Sequence, residues 1–373
     1  MKNKIYKYDF LIIGAGLIGA IAALALAQKK LKVLVIDNKN NIPKDNRTLA
    51  VNANSTDFLK QLDIWKNLKH NPQNIDKIII EDDINEQPLI FENKEEPMGS
   101  VVYNKEVHEI ARSRLKKLKI LKTETNLEIN KILPNKILNI NKKKYLFKKV
   151  IVSIGKNIIT DKNHKSIVFD QQHSSYVGFF KHSKKHNNTA YEIFTQDGPL
   201  AVLPSPATNK NRSTFIYSSK KKINNVQLQN IIYKKFEKSH GKIVFDKLIS
   251  KFPITPHLTK NNINFIYIGD SLKSIHPVAG QGWNLGVKDI RTLCNLLDQY
   301  SLESKNFNSY YYSRRIIEST IYLSFTSILN FLYERKSTIN TKIIKMGYSG
   351  LNKIKLVRDL FIKQAMGRIN LTD

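Results

Sequence analysis

The sequence contains one cysteine, Cys294, which rules out an internal disulfide framework and is typical of a reducing compartment. Cys294 lies in an apolar helical stretch, so a small core residue is favoured over a nucleophile. The histidines are scattered without metal-ligand spacing, so we predict no metal site. His182, His186 and His257 have polar sequence neighbours, which predicts that these side chains lie at the surface.

Acidic residues are scarce: 31 Asp and Glu stand against 61 Lys and Arg, a formal net charge of +30. The cations are spread along the whole chain, and no helix-turn-helix, RNP or zinc-finger pattern accompanies them. We therefore do not expect a nucleic acid partner. Lys, Asn and Ile are all abundant, which suggests a general compositional drift, but a basic surface would also favour contact with an anionic membrane surface, because anionic head groups attract exposed Lys and Arg.

Long uncharged apolar runs are also missing. The best candidate, residues 319–333, is shorter than the roughly 18 residues of a spanning helix and contains several Ser and Thr residues. Two interpretations stay open for it: an amphipathic helix packed on the protein, or a helix that faces a membrane. No cleavage-site pattern follows the apolar run near the N-terminus, so we expect neither a signal peptide nor a spanning helix.

Residues 7–37 predict a βαβ unit with a G-x-G-x-x-G turn after its first strand. Gly14 permits the tight turn, Gly16 lets the backbone approach a pyrophosphate, and Gly19 lets helix and strand pack closely. Asp37 ends the second strand, where an acid hydrogen-bonds a ribose diol. The pattern predicts a dinucleotide site, but on its own it does not separate FAD from NAD.

A second glycine-rich segment occupies residues 265–286. A short apolar strand ends at Gly269-Asp270, and Asp270 is placed to accept a hydrogen bond from a ribityl hydroxyl. Glycines further on permit close approach to a planar ring, and a helix beginning near Gly282 directs its positive end at that ring. The residues expected to line the flavin ring are Pro277, Gly280, Gln281, Gly282 and Asn284. Together the two segments indicate a flavoprotein.

At these residues the chain resembles the group A flavin monooxygenases, and among them the ubiquinone-biosynthesis hydroxylases. Residues 45–51 resemble the family's D-x-R-x-x-A segment, which makes Arg47 a candidate FAD contact. Residues 189–204 resemble the segment that enters the family's substrate domain. Residues 313–315 and 364–367 resemble further family segments, so the similarity extends over nearly the whole chain.

The resemblance implies FAD as cofactor, NAD(P)H as electron donor, and hydroxylation of a polyprenylphenol by O2 through a C4a-hydroperoxyflavin. It also implies that the protein is cytoplasmic, lies peripherally on the inner (plasma) membrane, and contacts other ubiquinone-synthesis proteins. No catalytic base can be named from the sequence.

Two departures from the family pattern keep alternatives open. The family's A-D-G-x-x-S element is degenerate here, at Ile154-Gly155, and lacks its acid. Lys273 replaces the histidine of the family's G-D-A-A-H. The alternatives are an FAD oxidoreductase that does not hydroxylate, and a weakly active FAD-binding accessory protein of the ubiquinone-synthesis complex.

The predicted fold is α/β: a discontinuous Rossmann-like FAD-binding domain, a β-sheet-rich α+β substrate domain and C-terminal helices. The FAD-binding domain is expected in three parts, at residues 1–75, 101–160 and 263–304. A hairpin at 76–100 and the region 161–262 are assigned to the substrate domain, and residues 305–373 to the C-terminal helices.

Overall fold

The computed structural model describes the chain outside residues 1–3, 39–46, 125–128, 130–131, 161–163, 170–172, 207–210, 247–249, 277–279, 336 and 370–373. Its helices are α1 (Leu17–Gln28), α2 (Ala53–Gln61), α3 (Asn104–Lys117), α4 (Asn225–His240), α5 (Gln281–Gln299), α6 (Phe307–Glu334), α7 (Thr338–Lys353) and α8 (Lys355–Ala365). The strands of the N-terminal part are β1 (Ile5–Ile13), β2 (Val33–Asp37), β3 (Thr48–Asn52), β4 (Gln73–Ile75), β5 (Lys77–Asp82), β6 (Leu89–Glu92), β7 (Gly99–Tyr103), β8 (Leu121–Thr123), β9 (Leu138–Ile140) and β10 (Lys143–Val152). Those that follow are β11 (Ser166–Val168), β12 (Ser174–His182), β13 (Thr189–Thr195), β14 (Gly198–Pro204), β15 (Arg212–Ser219), β16 (Ile243–Phe245), β17 (Ser250–Pro253), β18 (His257–Thr259), β19 (Phe265–Tyr267) and β20 (Lys273–Ser274).

A parallel sheet in the order β19-β10-β1-β2-β8 forms the cofactor half of the molecule. Its central strands are buried on both faces, which explains the unbroken apolar runs of β1 and β2. Strand β19 comes from far along the chain yet pairs with β10. The predicted discontinuous Rossmann-like fold is therefore confirmed.

A second sheet, within the described residues, runs in the order β16-β12-β15-β14-β13-β5-β6, and β17 also pairs with β12. The β5–β6 hairpin joins it because β5 lies parallel to β13. Helix α4 covers one face with Leu228, Ile232 and Phe236, which pack among the aromatic residues of β12 and β15. The strands of this sheet come from the two segments that were assigned to the substrate domain. The exact domain boundaries stay a prediction.

Helix α6 is longer than the apolar run suggested. It spans 28 residues, and its most apolar 18-residue window has a mean hydropathy of 1.2 and is 33% buried, so by length and composition it is able to cross a membrane. The expectation of no spanning helix stays a prediction, because a helix that packs on the protein meets the same length and composition criteria. Arg315 and Glu318, which precede the apolar run in the sequence, are buried and paired inside the helix.

The expected surface histidines are buried. His182 lies inside the second sheet region, with Nδ1 2.6 Å from the Lys184 carbonyl oxygen and Nε2 3.0 Å from Ser213 Oγ. His186 and His257 are also buried. The expectation was wrong because elements distant in the sequence cover these side chains: Ser213 of β15 contacts His182, and the Asp270 carbonyl oxygen contacts His257. Cys294 is a buried core residue, as predicted, and burial raises the pKa of its thiol to about 11.

The end of α8 is fastened to the cofactor half. Asn54, in α2, donates its backbone amide to the Met366 carbonyl oxygen and its side-chain amide to the Gly367 carbonyl oxygen. Arg368 pairs with Asp57 of the same helix at 2.8 Å. The C-terminal helices therefore close back on a segment from the first sixth of the chain.

A buried ion cluster ties α5 and α6 to the turn after β19. One Asp289 oxygen accepts hydrogen bonds from Lys273 Nζ at 2.6 Å and Arg315 Nε at 2.7 Å. Its other oxygen accepts the backbone amide of Gly269 at 2.8 Å. Arg315 also pairs with Glu318, which binds Lys288. Lys273, where the family pattern has a histidine, is thus a structural cation.

We predict that Arg315→Met lowers the free energy of unfolding by about 3–5 kcal/mol, because it removes the cation that the buried carboxylates of Asp289 and Glu318 share. Urea unfolding followed by circular dichroism measures the change. Arg314→Met is the matched control: Arg314 bonds only the exposed Gln299 side chain among the described residues, and we expect a loss below about 1 kcal/mol. Equal losses in the two variants would contradict the assigned role of the cluster.

Candidate functional site

The two glycine-rich segments meet in one cavity of about 890 Å³ between the sheets. From the predicted set it is lined by Gly14, Gly16, Asp37, Arg47, Asp270, Gly280 and Gly282. Parallel strands β1, β2, β10 and β19 all end at this edge of their sheet. Residues that lie far apart in the sequence therefore converge, since ligands bind beyond the carboxyl ends of such strands.

The first turn owes its shape to its glycines. Gly14 has a φ of +99°, and a Cβ there would lie 2.3 Å from the Ser153 carbonyl oxygen, just past the end of β10. At Gly19 a Cβ would lie 2.1 Å from the Gly14 carbonyl oxygen, so Gly19 serves close helix–strand packing. Gly16 is different: a Cβ there would meet nothing within 4 Å and would point into open space. Gly16 thus leaves room for a ligand at the N-terminus of α1.

Asp37 braces this turn from the end of β2. Its Oδ2 accepts the backbone amide of Ala15 at 2.9 Å and Arg112 Nη1 at 2.8 Å. Arg112 also donates to the Ala15 carbonyl oxygen, which His108 Nε2 contacts at 2.9 Å. His108 and Arg112 lie four residues apart on α3 and both line the cavity. Sequence reasoning missed them: a spacing of four residues is compatible with one helix face, but it does not show which carbonyl oxygen or carboxylate that face meets.

The second turn presents Asp270 to the cavity. Gly269 has a φ of +59° and packs on Ile18 of α1, so the two predicted halves touch directly. His257 Nε2 donates to the Asp270 carbonyl oxygen at 2.8 Å and was missed from the sequence. The Asp270 side chain remains accessible within the cavity, yet crowding by protein atoms raises the pKa of its carboxyl group, against the lowering effects of Lys156, His257, Lys273 and Arg47.

Two cations lie beside Asp270. Arg47 and Lys156 both line the cavity and flank the Phe252 ring, at 5.4 and 6.0 Å from its centroid. Burial lowers the pKa of Lys156, while Asp270 acts in the opposite direction. Lys156 follows the degenerate Ile154-Gly155 element, so a cation stands close to where the family pattern loses its acid. Two cations against one carboxylate favour an anionic ligand.

At the α5 end, only some of the predicted flavin-lining residues line the cavity. Gly280, with a φ of +61°, and Gly282 line the cavity. Asn284 is buried and braces β3: its Oδ1 accepts the Asn52 amide at 3.0 Å and its Nδ2 donates to the Ala50 carbonyl oxygen at 2.9 Å. Gln281 is the first residue of α5 and is absent from the described lining. Pro277 lies outside the described residues. Direct flavin contact by these side chains stays a prediction.

The cavity fits FAD on three observations. Gly16 leaves open space at the N-terminus of α1, where backbone amides favour phosphate. Arg47 and Lys156 add positive charge to the lining, and Asp37 and Asp270 supply carboxylates at opposite glycine turns. The wall contributed by the second sheet is apolar, with Val177, Leu203 and Ile216 on adjacent strands. An apolar wall of this kind is suited to packing against an aromatic ring.

Family models match both ends of this arrangement. A model described as FAD binding domain matches residues 7–128, and one described as squalene epoxidase matches residues 203–348. Ubiquinone hydroxylase UbiL of Rhodospirillum rubrum is 24% identical, over 97% of this chain and 90% of that protein. Ubiquinone biosynthesis monooxygenase COQ6 of Dictyostelium discoideum is 23% identical, over 98% of this chain and 92% of that protein.

Solved structures share the fold. The crystal structure of p-nitrophenol 4-monooxygenase PnpA from Pseudomonas putida DLL-E4 superposes with a TM-score of 0.73. The alignment covers 97% of this chain and 98% of that chain at 13% sequence identity. At this identity the likeness concerns the fold, and it supports the Rossmann-like architecture described above.

We predict that Gly16→Val yields a folded but colourless protein, because the new side chain fills open space where the cofactor pyrophosphate would run. The purified variant should keep its circular dichroism spectrum and lose bound FAD, which absorbance of released flavin measures. Gly14→Ala is the contrasting variant: its Cβ clashes with Ser153, and we expect a stability loss of about 1–3 kcal/mol. Full FAD occupancy in folded Gly16→Val would show that the turn does not bind the cofactor.

Asp270→Ala should weaken FAD binding although it lies far from Gly16 in the sequence. Loss of a charged acceptor for a ligand hydroxyl corresponds to about 1.5–3 kcal/mol in binding free energy. Titration of the apoprotein with FAD, followed by flavin fluorescence, gives the affinity. Asp197→Ala, which removes an exposed partner of Lys221, serves as control and should leave the affinity unchanged. An unchanged affinity in Asp270→Ala would make Asp270 structural.

Proposed function

We infer that this chain belongs to the FAD-dependent hydroxylases of ubiquinone biosynthesis, and on that premise we propose that it hydroxylates the aromatic ring of a polyprenylphenol with O2. The carrying observation is the single cavity, in which the pyrophosphate turn of α1 and the Gly280–Gly282 end of α5 meet an apolar wall of the second sheet. The names of the relatives support the reaction class, and the cavity is the proposed binding site for the cofactor and the substrate.

The geometry supports a proposed role for several of the chain's own residues. The amides at the start of α1 bind phosphate, and Asp37, braced by Arg112, accepts from a ribose. Asp270, fixed through Gly269 and His257, accepts from the ribityl chain. Bound FAD supplies the redox and oxygen chemistry, while the protein orients the substrate and excludes water. Val177, Leu203 and Ile216 provide the apolar surface on which the phenol ring packs.

The electron donor that we propose is NAD(P)H, as in the group A monooxygenases that the chain resembles. The phosphates of NAD(P)H are negatively charged and are compatible with the cationic lining of the cavity, where Arg47 and Lys156 lie. The altered element at Ile154-Gly155 makes the choice of donor a question for direct measurement, with NADH and NADPH compared on the flavin-loaded protein.

We also propose that this protein is cytoplasmic and attaches peripherally to the inner (plasma) membrane. A polyprenylphenol is dissolved in that membrane, and other ubiquinone-synthesis proteins act there. The net charge of +30 supports attraction to anionic lipid, because each well-placed Lys or Arg contributes about 1 kcal/mol near such a surface.

We predict that the flavin-loaded protein consumes O2 in the presence of a prenylphenol and yields a hydroxylated product with one added oxygen atom. Oxygen uptake and mass spectrometry of the product measure the reaction, and hydrogen peroxide release measures unproductive turnover. In cells that lack the protein, the accumulated quinone precursor should identify the ring carbon. A protein that binds FAD but neither hydroxylates nor changes the precursor profile would contradict the proposal and favour an accessory role.

A further inference from the structure

The C-terminal helices expose apolar side chains in stripes. On α6, Ile317, Ile321, Phe325 and Ile328 recur every three or four residues and are between 47 and 56% exposed. This spacing places them on one helix face, opposite the buried Leu323 and Thr326. The same face outlines a shallow apolar depression. The helix thus packs on the protein with one side and presents an apolar stripe on the other.

Helices α7 and α8 repeat the arrangement. On α7, Ile339, Ile343 and Met346 are 71, 47 and 74% exposed, while Asn340 and Ile344 of the opposite side are buried. On α8, Leu356 and Leu360 are 69 and 48% exposed. Isolated exposed apolar residues are common, but exposed apolar stripes on three successive helices are of the kind that marks an interaction site.

Positive charge surrounds these stripes. Between Thr338 and Ala365 the sequence has six cations and a single acid, Asp359. The cations are Lys342, Lys345, Lys353, Lys355, Arg358 and Lys363. The five lysines are exposed, and none makes an ion pair with another described residue. An apolar stripe flanked by lysines is typical of helices that lie in a membrane interface.

We propose that the exposed stripes of α6, α7 and α8 form a docking surface for an anionic lipid bilayer, in which the apolar side chains insert and the flanking lysines bind head groups. A second copy of this chain is a poorer occupant, because two faces with the same excess of cations repel each other. The proposal builds on the proposed membrane attachment and assigns it to particular residues; it does not depend on the hydroxylation reaction.

The test uses the full-length, flavin-loaded protein and vesicles of phosphatidylcholine with phosphatidylglycerol. We expect the protein to float with these vesicles, and a fraction to stay bound at about 1 M salt, where charge attraction is screened within about 3 Å. In Ile339→Ser/Ile343→Ser/Met346→Ser, the salt-resistant fraction should fall at least about tenfold, because apolar burial resists salt. Val226→Ser/Ile263→Ser removes apolar residues that are 64 and 79% exposed elsewhere, and should bind like the unaltered protein.

A second measurement keeps the proposal testable if the triple variant folds poorly, as judged by its FAD content. Compared with the unaltered protein, Met346→Trp should add an emission that shifts to the blue with vesicles and is quenched by brominated lipid. Release of all protein at high salt, no effect of the triple variant, or an added emission in Met346→Trp that lipid leaves unchanged would overturn the proposal. So would a triple variant that only converts a dimer to a monomer. Failure to hydroxylate a prenylphenol would instead contradict the proposed reaction and leave vesicle binding unaffected.

Discussion

The cofactor cavity depends on one buried carboxylate. Asp289 uses one oxygen for Lys273 and Arg315 and the other for the backbone amide of Gly269. Helices α5 and α6 and the turn after β19 are therefore held by a single side chain. A buried charge is tolerated only when its hydrogen-bonding capacity is filled, so the geometry of this group is strongly constrained. Because Gly269 precedes Asp270, that constraint also fixes the carboxylate that faces the cavity.

The charges inside the cavity are arranged around this fixed point. Asp270 lies with Arg47 and Lys156 at one end, whereas Asp37 is paired with Arg112 at the other. At the first turn, Asp37 Oδ2 accepts from Ala15 and Arg112, while the second turn has an excess of cations. Cations and carboxylates in one cavity favour a ligand that has both negative charge and several hydroxyl groups, which is the chemical character of a flavin dinucleotide.

The sequence predicted those parts of the site whose structure depends on residues close together in the chain. The βαβ unit was predictable from Gly14 and Gly16, since tight turns and buried strands leave their signature in neighbouring residues. Arg112 and His257 were not, because their function depends on which backbone carbonyls other elements bring to them. The true length of α6 was hidden for the same reason: Arg315 and Glu318 resemble surface charges until the partners from α5 are known.

The attachment of Met366 and Gly367 to Asn54 has a consequence for how the protein is made. The contact joins residues separated by most of the chain, and strand β19 likewise reaches β10 from a distant position. Contacts of such high sequence separation form late and slow folding. On the ribosome, the cofactor half therefore cannot be completed as an N-terminal unit, and its assembly waits until Met366 and Gly367 have been synthesised.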